Sequence, residues 1–372
     1  MTANLLSLAQ LRVQARATTL FPPAPLADAL QRLGFVQADP IRAPARAQDL
    51  ILRHRVRGYR MGDLDRAFRR LELEEDFLYA YGFMPAATRH LLHPRVDLTD
   101  LVGLHQPESL AAAVLAFVRR AGPTHPRDLE AHFGRERTIN AWGGFSKVTT
   151  RVLEALHHHG WLRVAERRDG IRIYATVPDT PAPLEASERA RQAVLLVASL
   201  LAPVSWPSLG SALALMARRN PGLGRLAPVV QALLQAGALE QDSVEGERYL
   251  WLAGTAERRH QAVPQDVRIL APFDPLVWDR RRFEHLWGWA YRFEAYTPPA
   301  KRQFGYYAMP LLWGERVIGW ANLTVVQGQL QAELGYAGPP PRSLTFQRSL
   351  EAEMDRVRRF LTLQDGGKPK TS

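Results

Sequence analysis

From Glu108 onward one order of elements is spelled twice, and it leaves few folds open: three segments of helical period, then two alternating segments joined at an acid-glycine turn. In the first copy, Leu110, Val114, Leu115, Phe117 and Val118 make an apolar helix face that ends at Ala121-Gly122-Pro123. Pro126 opens a second helix with Leu129 and Phe133 inward, Gly134 closes it, and Trp142-Gly143-Gly144-Phe145 turns the chain. A third helix, capped by Ser146, turns Val148, Val152, Leu153 and Leu156 inward and leaves Lys147, Thr149, Thr150 and Arg151 at its exposed start. Leu162 and Val164 then alternate with charged residues, Asp169-Gly170 makes the turn, and Ile171 and Ile173 return. Three helices and a hairpin are the parts of a winged helix. In that arrangement the third helix enters a major groove, while Arg163, Arg167, Arg168 and Arg172 bring the wing to phosphates.

Pro178 to Pro183 reads as an extended linker to the second copy. There Glu188–Leu201, Leu209–Ala217 and the segment holding Val229, Val230, Leu233 and Leu234 supply the helices; a hairpin turns at Glu245-Gly246 and returns through Tyr249-Leu250-Trp251-Leu252. Its third helix carries fewer basic residues, so contact with DNA and a scaffold role are equally open. The first hundred residues fit the grammar less cleanly. Helices are expected near Leu8–Ala17, Leu26–Leu33, Ala45–Arg55 and Gly62–Leu71, with a strand at Phe35–Asp39.

That strand carries Gln37-Ala38-Asp39. Side chains two apart on extended chain share a face, so an amide and a carboxylate can reach one substrate atom beside Arg42, Arg46, Arg53, Arg55, Arg57 and Arg60. The other reading is a helix start, with Asp39 as cap and Pro40 in the first turn. Glu74-Glu75-Asp76 has no nearby histidine to complete a metal site, and a solvated acidic turn is expected. His157-His158-His159 diverge by about 100° each on a helix and mark its end rather than a metal site.

Charge points to a polyanionic partner: 48 Lys+Arg against 37 Asp+Glu give +11, and Arg, which forks onto phosphates and stacks on bases, far outnumbers Lys. The absence of cysteine excludes disulfides, thiolate metal sites and thiol nucleophiles. Met1-Thr2-Ala3-Asn4-Leu5-Leu6 lacks the regions of a signal peptide, and the apolar run Ala193–Val204 is too short to span a bilayer; a cytoplasmic, nucleoid-associated protein is expected.

The carboxy-terminal third contains Leu270-Ala271-Pro272-Phe273-Asp274-Pro275-Leu276-Val277-Trp278-Asp279, then Tyr291-Arg292-Phe293-Glu294-Ala295-Tyr296-Thr297-Pro298-Pro299-Ala300-Lys301-Arg302, then Gly305-Tyr306-Tyr307. With these blocks the chain resembles, over almost its whole length, the bacterial winged-helix DNA glycosylases that remove bulky N7-alkylguanine lesions and unhook interstrand crosslinks. The resemblance implies an α+β fold of tandem winged helices and a small C-terminal β-barrel in a C-shaped, DNA-binding body. On this chain that gives a winged-helix-like domain at 1–104 with the catalytic motif, winged helices at 105–180 and 184–255, a barrel at 262–340, a closing helix at 341–363 and a disordered tail at 364–372. The family's catalytic pattern, Gln, any residue, then Gln or Asp, falls on Gln37 and Asp39.

DNA contacts are expected from Arg42, Arg46, Arg53, Arg55, Arg57, Lys147, Arg151, Arg167, Arg168, Lys301 and Arg302. With no lysine matched near the motif, the expected enzyme is monofunctional, needs no cofactor or metal, and acts as a monomer on double-stranded DNA carrying alkylated or crosslinked guanine. Asp274-Pro275 and Asp279–Arg282 are read as cap and ion-pair features. Two departures bear on substrate choice: Asp76–Pro85 lacks the His-Ala pair of relatives, and Gly319-Trp320-Ala321-Asn322-Leu323 lacks their Arg and Asp. The competing class is a non-enzymatic regulator or architectural DNA-binding protein.

Overall fold

The computed structural model describes residues 6–93, 95, 108–139, 145–178, 184–363 and 370–371. The amino-terminal residues 1–5, the turn at 142–144, most of the 178–183 linker, the boundary near 104 and the tail apart from 370–371 lie outside them.

In the first unit, α1 (Leu8–Thr19) starts at a reciprocal cap between Ser7 and Gln10, and α2 (Leu26–Leu33) stops at left-handed Gly34. β1 (Val36–Gln37) is shorter than expected, α3 (Ala47–Leu52) starts later, and α4 (Asp63–Ala67) is a single turn. A strand pair follows where a solvated turn was expected: β2 (Leu73–Phe77) and β3 (Tyr81–Pro85), then α5 (Ala86–Leu92). The sheet order is β1-β3-β2, all antiparallel. Glu74, Glu75 and Asp76 are buried in β2 because arginines from other elements meet each carboxylate.

The second unit follows the expected order: α6 (Leu110–Ala121), α7 (Pro126–Phe133), α8 (Val148–His158) and the hairpin β6 (Leu162–Arg168) and β7 (Ile171–Thr176), with positive φ at Asp169 and Gly170. Between α7 and α8 it adds an unexpected pair, β4 (Arg137–Ile139) and β5 (Phe145–Lys147); Lys147, not Ser146, precedes α8 and its side chain forms no cap. The third unit repeats three helices and a hairpin: α9 (Ala186–Leu200), a short β8 (Val204–Ser205), α10 (Trp206–Arg219), α11 (Leu226–Gln235), β9 (Leu239–Val244) and β10 (Glu247–Leu252).

The last unit holds β11 (Val267–Ile269), α12 (Arg280–Trp287), β12 (Met309–Trp313), β13 (Arg316–Val326), β14 (Gln329–Tyr336), α13 (Leu344–Leu361) and β15 (Lys370–Thr371). Sheet order is β11-β12-β13-β14-β15, and the edges β11 and β15 do not pair, so the expected barrel is an open, curled half-barrel. β15 runs parallel to β14, within a tail expected to be disordered. The amphipathic α13 covers the β11 edge, where Glu353 Oε1 accepts from Ile269 N (2.9 Å) and Ser349 Oγ from Val267 N (2.7 Å). Buried apolar side chains from Phe21 to Leu361 form one connected core across all four units.

Candidate active site

Among the described residues β1 pairs only with β3, in a register that sets Gln37 opposite Gly82. A Cβ at Gly82 would collide with the Val36 carbonyl oxygen and the Phe35 ring, so glycine is what lets β1 lie this close. The chain leaves the strand at Ala38, whose N–H donates to Tyr81 O (2.9 Å), and runs without helix until Ala47. Asp39 therefore caps no helix. Its Oδ1 accepts from Ile41 N (2.9 Å), and its own N–H reaches the Gln48 side chain at 3.4 Å. Burial pushes the half-buried carboxyl above the usual carboxylate range, and the Ile41 hydrogen bond only partly opposes it. No ion pair reaches Asp39 among the described residues. Gln37 Oε1 is buried without a hydrogen-bond partner.

Asp39 opens onto a cleft of about 710 Å³ at the seam of three units. Arg46 and Gln48 line it from the first unit, Arg151, Glu154 and His157 to His159 from α8, and Arg219 from the end of α10. The β2 acids neutralise part of this wall, with Asp76 itself among the lining residues. Glu75 takes Arg167 bidentately (2.6 Å each) and the Tyr81 hydroxyl (2.7 Å); Glu74 takes Arg163 (2.8 Å). Asp76 takes Arg95 (2.8 Å) and His93 Nε2 (2.6 Å). His93 is itself driven down to about 3 by burial, so at neutral pH it is a neutral donor to a carboxylate that Arg95 and His93 together hold far below its ordinary value. Two cleft aromatics carry guanidinium groups on their faces: Arg172 over Tyr81 at 4.5 Å and Arg219 over Phe77 at 4.3 Å. Among the described residues no group of three His, Asp or Glu is placed to hold a metal ion, and no helix is long and apolar enough to cross a membrane.

A carboxylate at the mouth of an arginine-lined cleft suits chemistry on a polyanion, and the sequence comparison decides which. Residues 30–360 match the family model described as DNA glycosylase AlkZ-like. The chain belongs to the AlkZ-like DNA glycosylase family. It is a DNA glycosylase, and the competing view of a DNA-binding protein without catalysis is set aside. Its fold is that of a solved structure, the Streptomyces sahachiroi DNA glycosylase AlkZ, with a TM-score of 0.65 at 15% identity over 99% of this chain and 100% of that one.

In this AlkZ-like chain the basic residues expected on DNA separate into groups. Asp39, Arg46, Arg151 and Arg167 meet at the cleft. Arg46 is largely covered and paired to Asp65 and Asp49, and Lys147 is paired to Glu130 (2.5 Å). Arg42, Arg57, Arg168 and Lys301 are exposed, Arg57 in a separate recess with Arg66 and Arg70; Arg302 is partly covered, over the Tyr306 ring at 5.1 Å. Two expectations fail. Arg55 is fully enclosed with Asp274 (2.8 Å for both contacts), and the Arg53 side chain is enclosed against Glu353 (2.7 Å); both join the first unit to the last and neither can touch DNA. Arg163, Arg167 and Arg172, expected on phosphates, pair with the β2 acids, Arg167 bidentately, while Arg167 and Arg172 also line the cleft. Asp279 does cap α12, accepting from Arg282 N, and Asp274 is an ion-pair residue, as expected. Sequence reasoning missed Gln48 and Arg219, which line the cleft from helices with no motif around them.

Proposed function

We propose that this glycosylase hydrolyses the N-glycosidic bond of N7-alkylguanine, or of a related bulky or crosslinked purine, in double-stranded DNA, and so excises single adducts and unhooks interstrand crosslinks. One observation carries the reading: Asp39 is a desolvated carboxylate without an ion pair among the described residues, facing an arginine-lined cleft. A guanine alkylated at N7 is already cationic and leaves as a neutral base, so no general acid is required. The C1′–N9 bond breaks with its electron pair going to N9, and the sugar acquires oxocarbenium character that the Asp39 charge stabilises. A water oxygen then bonds to C1′ and its proton passes to the Asp39 carboxylate. Gln37 exchanges no protons; its unpaired Oε1 accepts from the water and holds it in line.

Among the described residues no lysine lines the cleft, which favours an abasic product on an intact strand over a Schiff-base intermediate. The helix-helix-helix-hairpin units are read as winged helices set around the duplex in a C, with Arg42, Arg151 and Arg168 on phosphates, and the chain as a monomer acting on nucleoid DNA. The test is incubation with oligonucleotides bearing N7-methylguanine or a nitrogen-mustard crosslink, then alkali. Alkali-labile sites on both, or on one, support the reading; none on either overturns it.

A further inference from the structure

Among the described residues three carboxylates line the cleft: Asp39, Asp76 and Glu154. Facing phosphates, a negative charge opposes DNA binding, so each calls for a reason. Asp39 is the proposed catalytic group, and Asp76 is buried and held by Arg95 and His93. Glu154 is held by almost nothing. It stands on the face of α8 that Arg151, Ala155 and His158 also turn to the cleft at helical spacing, and its side chain is 54% exposed. Among the described residues its one ion pair is a long contact, Oε1 to Arg172 Nη1 at 3.9 Å, and Arg172 has a nearer carboxylate in Glu75 (3.5 Å). That contact also places the charge. The Arg172 guanidinium lies over the Tyr81 ring at 4.5 Å, and the Tyr81 carbonyl accepts from Ala38 N (2.9 Å), inside the Gln37-Ala38-Asp39 motif. Arg172 and Tyr81 thus link the Glu154 carboxylate to the segment that carries Asp39, across a cleft of small-molecule size, about 710 Å³.

An undamaged duplex offers a carboxylate no positive charge, whereas a guanine alkylated at N7 does. We propose that Glu154 is a specificity-determining residue that reads the charge of the lesion: its carboxylate faces the cationic purine and favours it over a neutral purine of the same shape. The attraction acts through space and needs no direct hydrogen bond. The inference rests on the reading of this site as one for N7-alkylguanine, and it divides the work, Asp39 acting on the sugar and Glu154 on the base.

The test compares the full chain with its Glu154→Gln variant, binding and excision being read separately. One duplex carries N7-methylguanine on a 2′-fluoroarabinose, which keeps the cation but resists base release; a second carries 7-methyl-7-deazaguanine, neutral and of the same shape. Wild type should prefer the cationic duplex, and Glu154→Gln should reduce that preference by about three- to tenfold. Affinity for the neutral duplex and for undamaged DNA should hold or rise, since a charge facing phosphates is gone. On ordinary N7-methylguanine DNA, KM should rise while kcat holds or increases, because the base gives up its charge as the bond breaks. Tm should hold, the side chain being exposed. An unchanged preference overturns the proposal, and so does an equal loss on both duplexes, which would make Glu154 an acceptor for a base edge such as cytosine N4. If wild type releases no base from N7-methylguanine DNA, the reading of the site itself has failed; if it does and the preference is unmoved by Glu154→Gln, only this inference has.

Discussion

Asp39 is held where its charge is costly. Desolvation raises its pKa, so the native state favours the protonated form. Ionisation subtracts stability as pH climbs from the ordinary carboxylate range through the raised value. Asp39→Asn should therefore raise Tm at neutral pH, with the difference vanishing below about pH 4, where both states are neutral. The same variant should lose about 10²- to 10⁴-fold in base release while binding DNA at least as well, because a like charge facing phosphates is gone. Single-turnover excision and melting curves on one preparation check both; full excision activity would refute the mechanism. Gln37→Ala, which removes the water-holding amide and spares the charge, should cost on the order of 10²-fold in kcat and leave the pH profile in place.

At the scale of elements, the strand β2 is a row of acids that fastens the β6–β7 hairpin to the first unit. Glu75 holds Arg167 and Arg172 and also the Tyr81 hydroxyl. Glu75→Ala should destabilise by about 2–3 kcal/mol, less than a wholly enclosed pair because both arginines keep some solvent. It should also disorder the cleft wall and depress excision on every substrate alike, which denaturant titration and excision rates on two lesions would show. Gly160 serves the same seam: with φ +82° it lets the end of α8 pass over the His93 ring, which a side chain there would strike. Arg55 and Asp274, 219 positions apart and fully enclosed, fasten the first unit to the last. Arg55→Ala should cost about 3–5 kcal/mol, since it leaves a buried carboxylate uncompensated. DNA affinity per folded molecule should not change; a loss of affinity without a loss of stability would return Arg55 to the DNA surface.

For the whole molecule, the proposed binding of DNA is an electrostatic event at a cleft lined by three units. Arg42→Ala and Arg219→Ala should each weaken binding to all sequences and lower the slope of log affinity against log salt by about one, whereas Arg55→Ala should leave that slope intact. Filter binding at several salt concentrations separates the two groups, and an unchanged slope for Arg219→Ala would remove the third unit from the DNA path.

The order of helices and hairpins after Glu108 was legible because helical period, Pro and Gly boundaries and Asp-Gly or Glu-Gly turns are local, and each acts within a few residues of itself. The family was legible as well, from the residue blocks of the carboxy-terminal third. What a lone charge does was not. Glu74, Glu75 and Asp76 look like a solvated turn until Arg163, Arg167 and Arg95 arrive from elsewhere in the chain, and Arg53 and Arg55 look like DNA contacts until Glu353 and Asp274 enclose them. The sequence by itself determined most of the helices and hairpins after Glu108, the excess of positive charge and the family. Only the tertiary structure decided which arginines are consumed as internal pairs, because the free energy of a charge depends on burial and on partners hundreds of residues away.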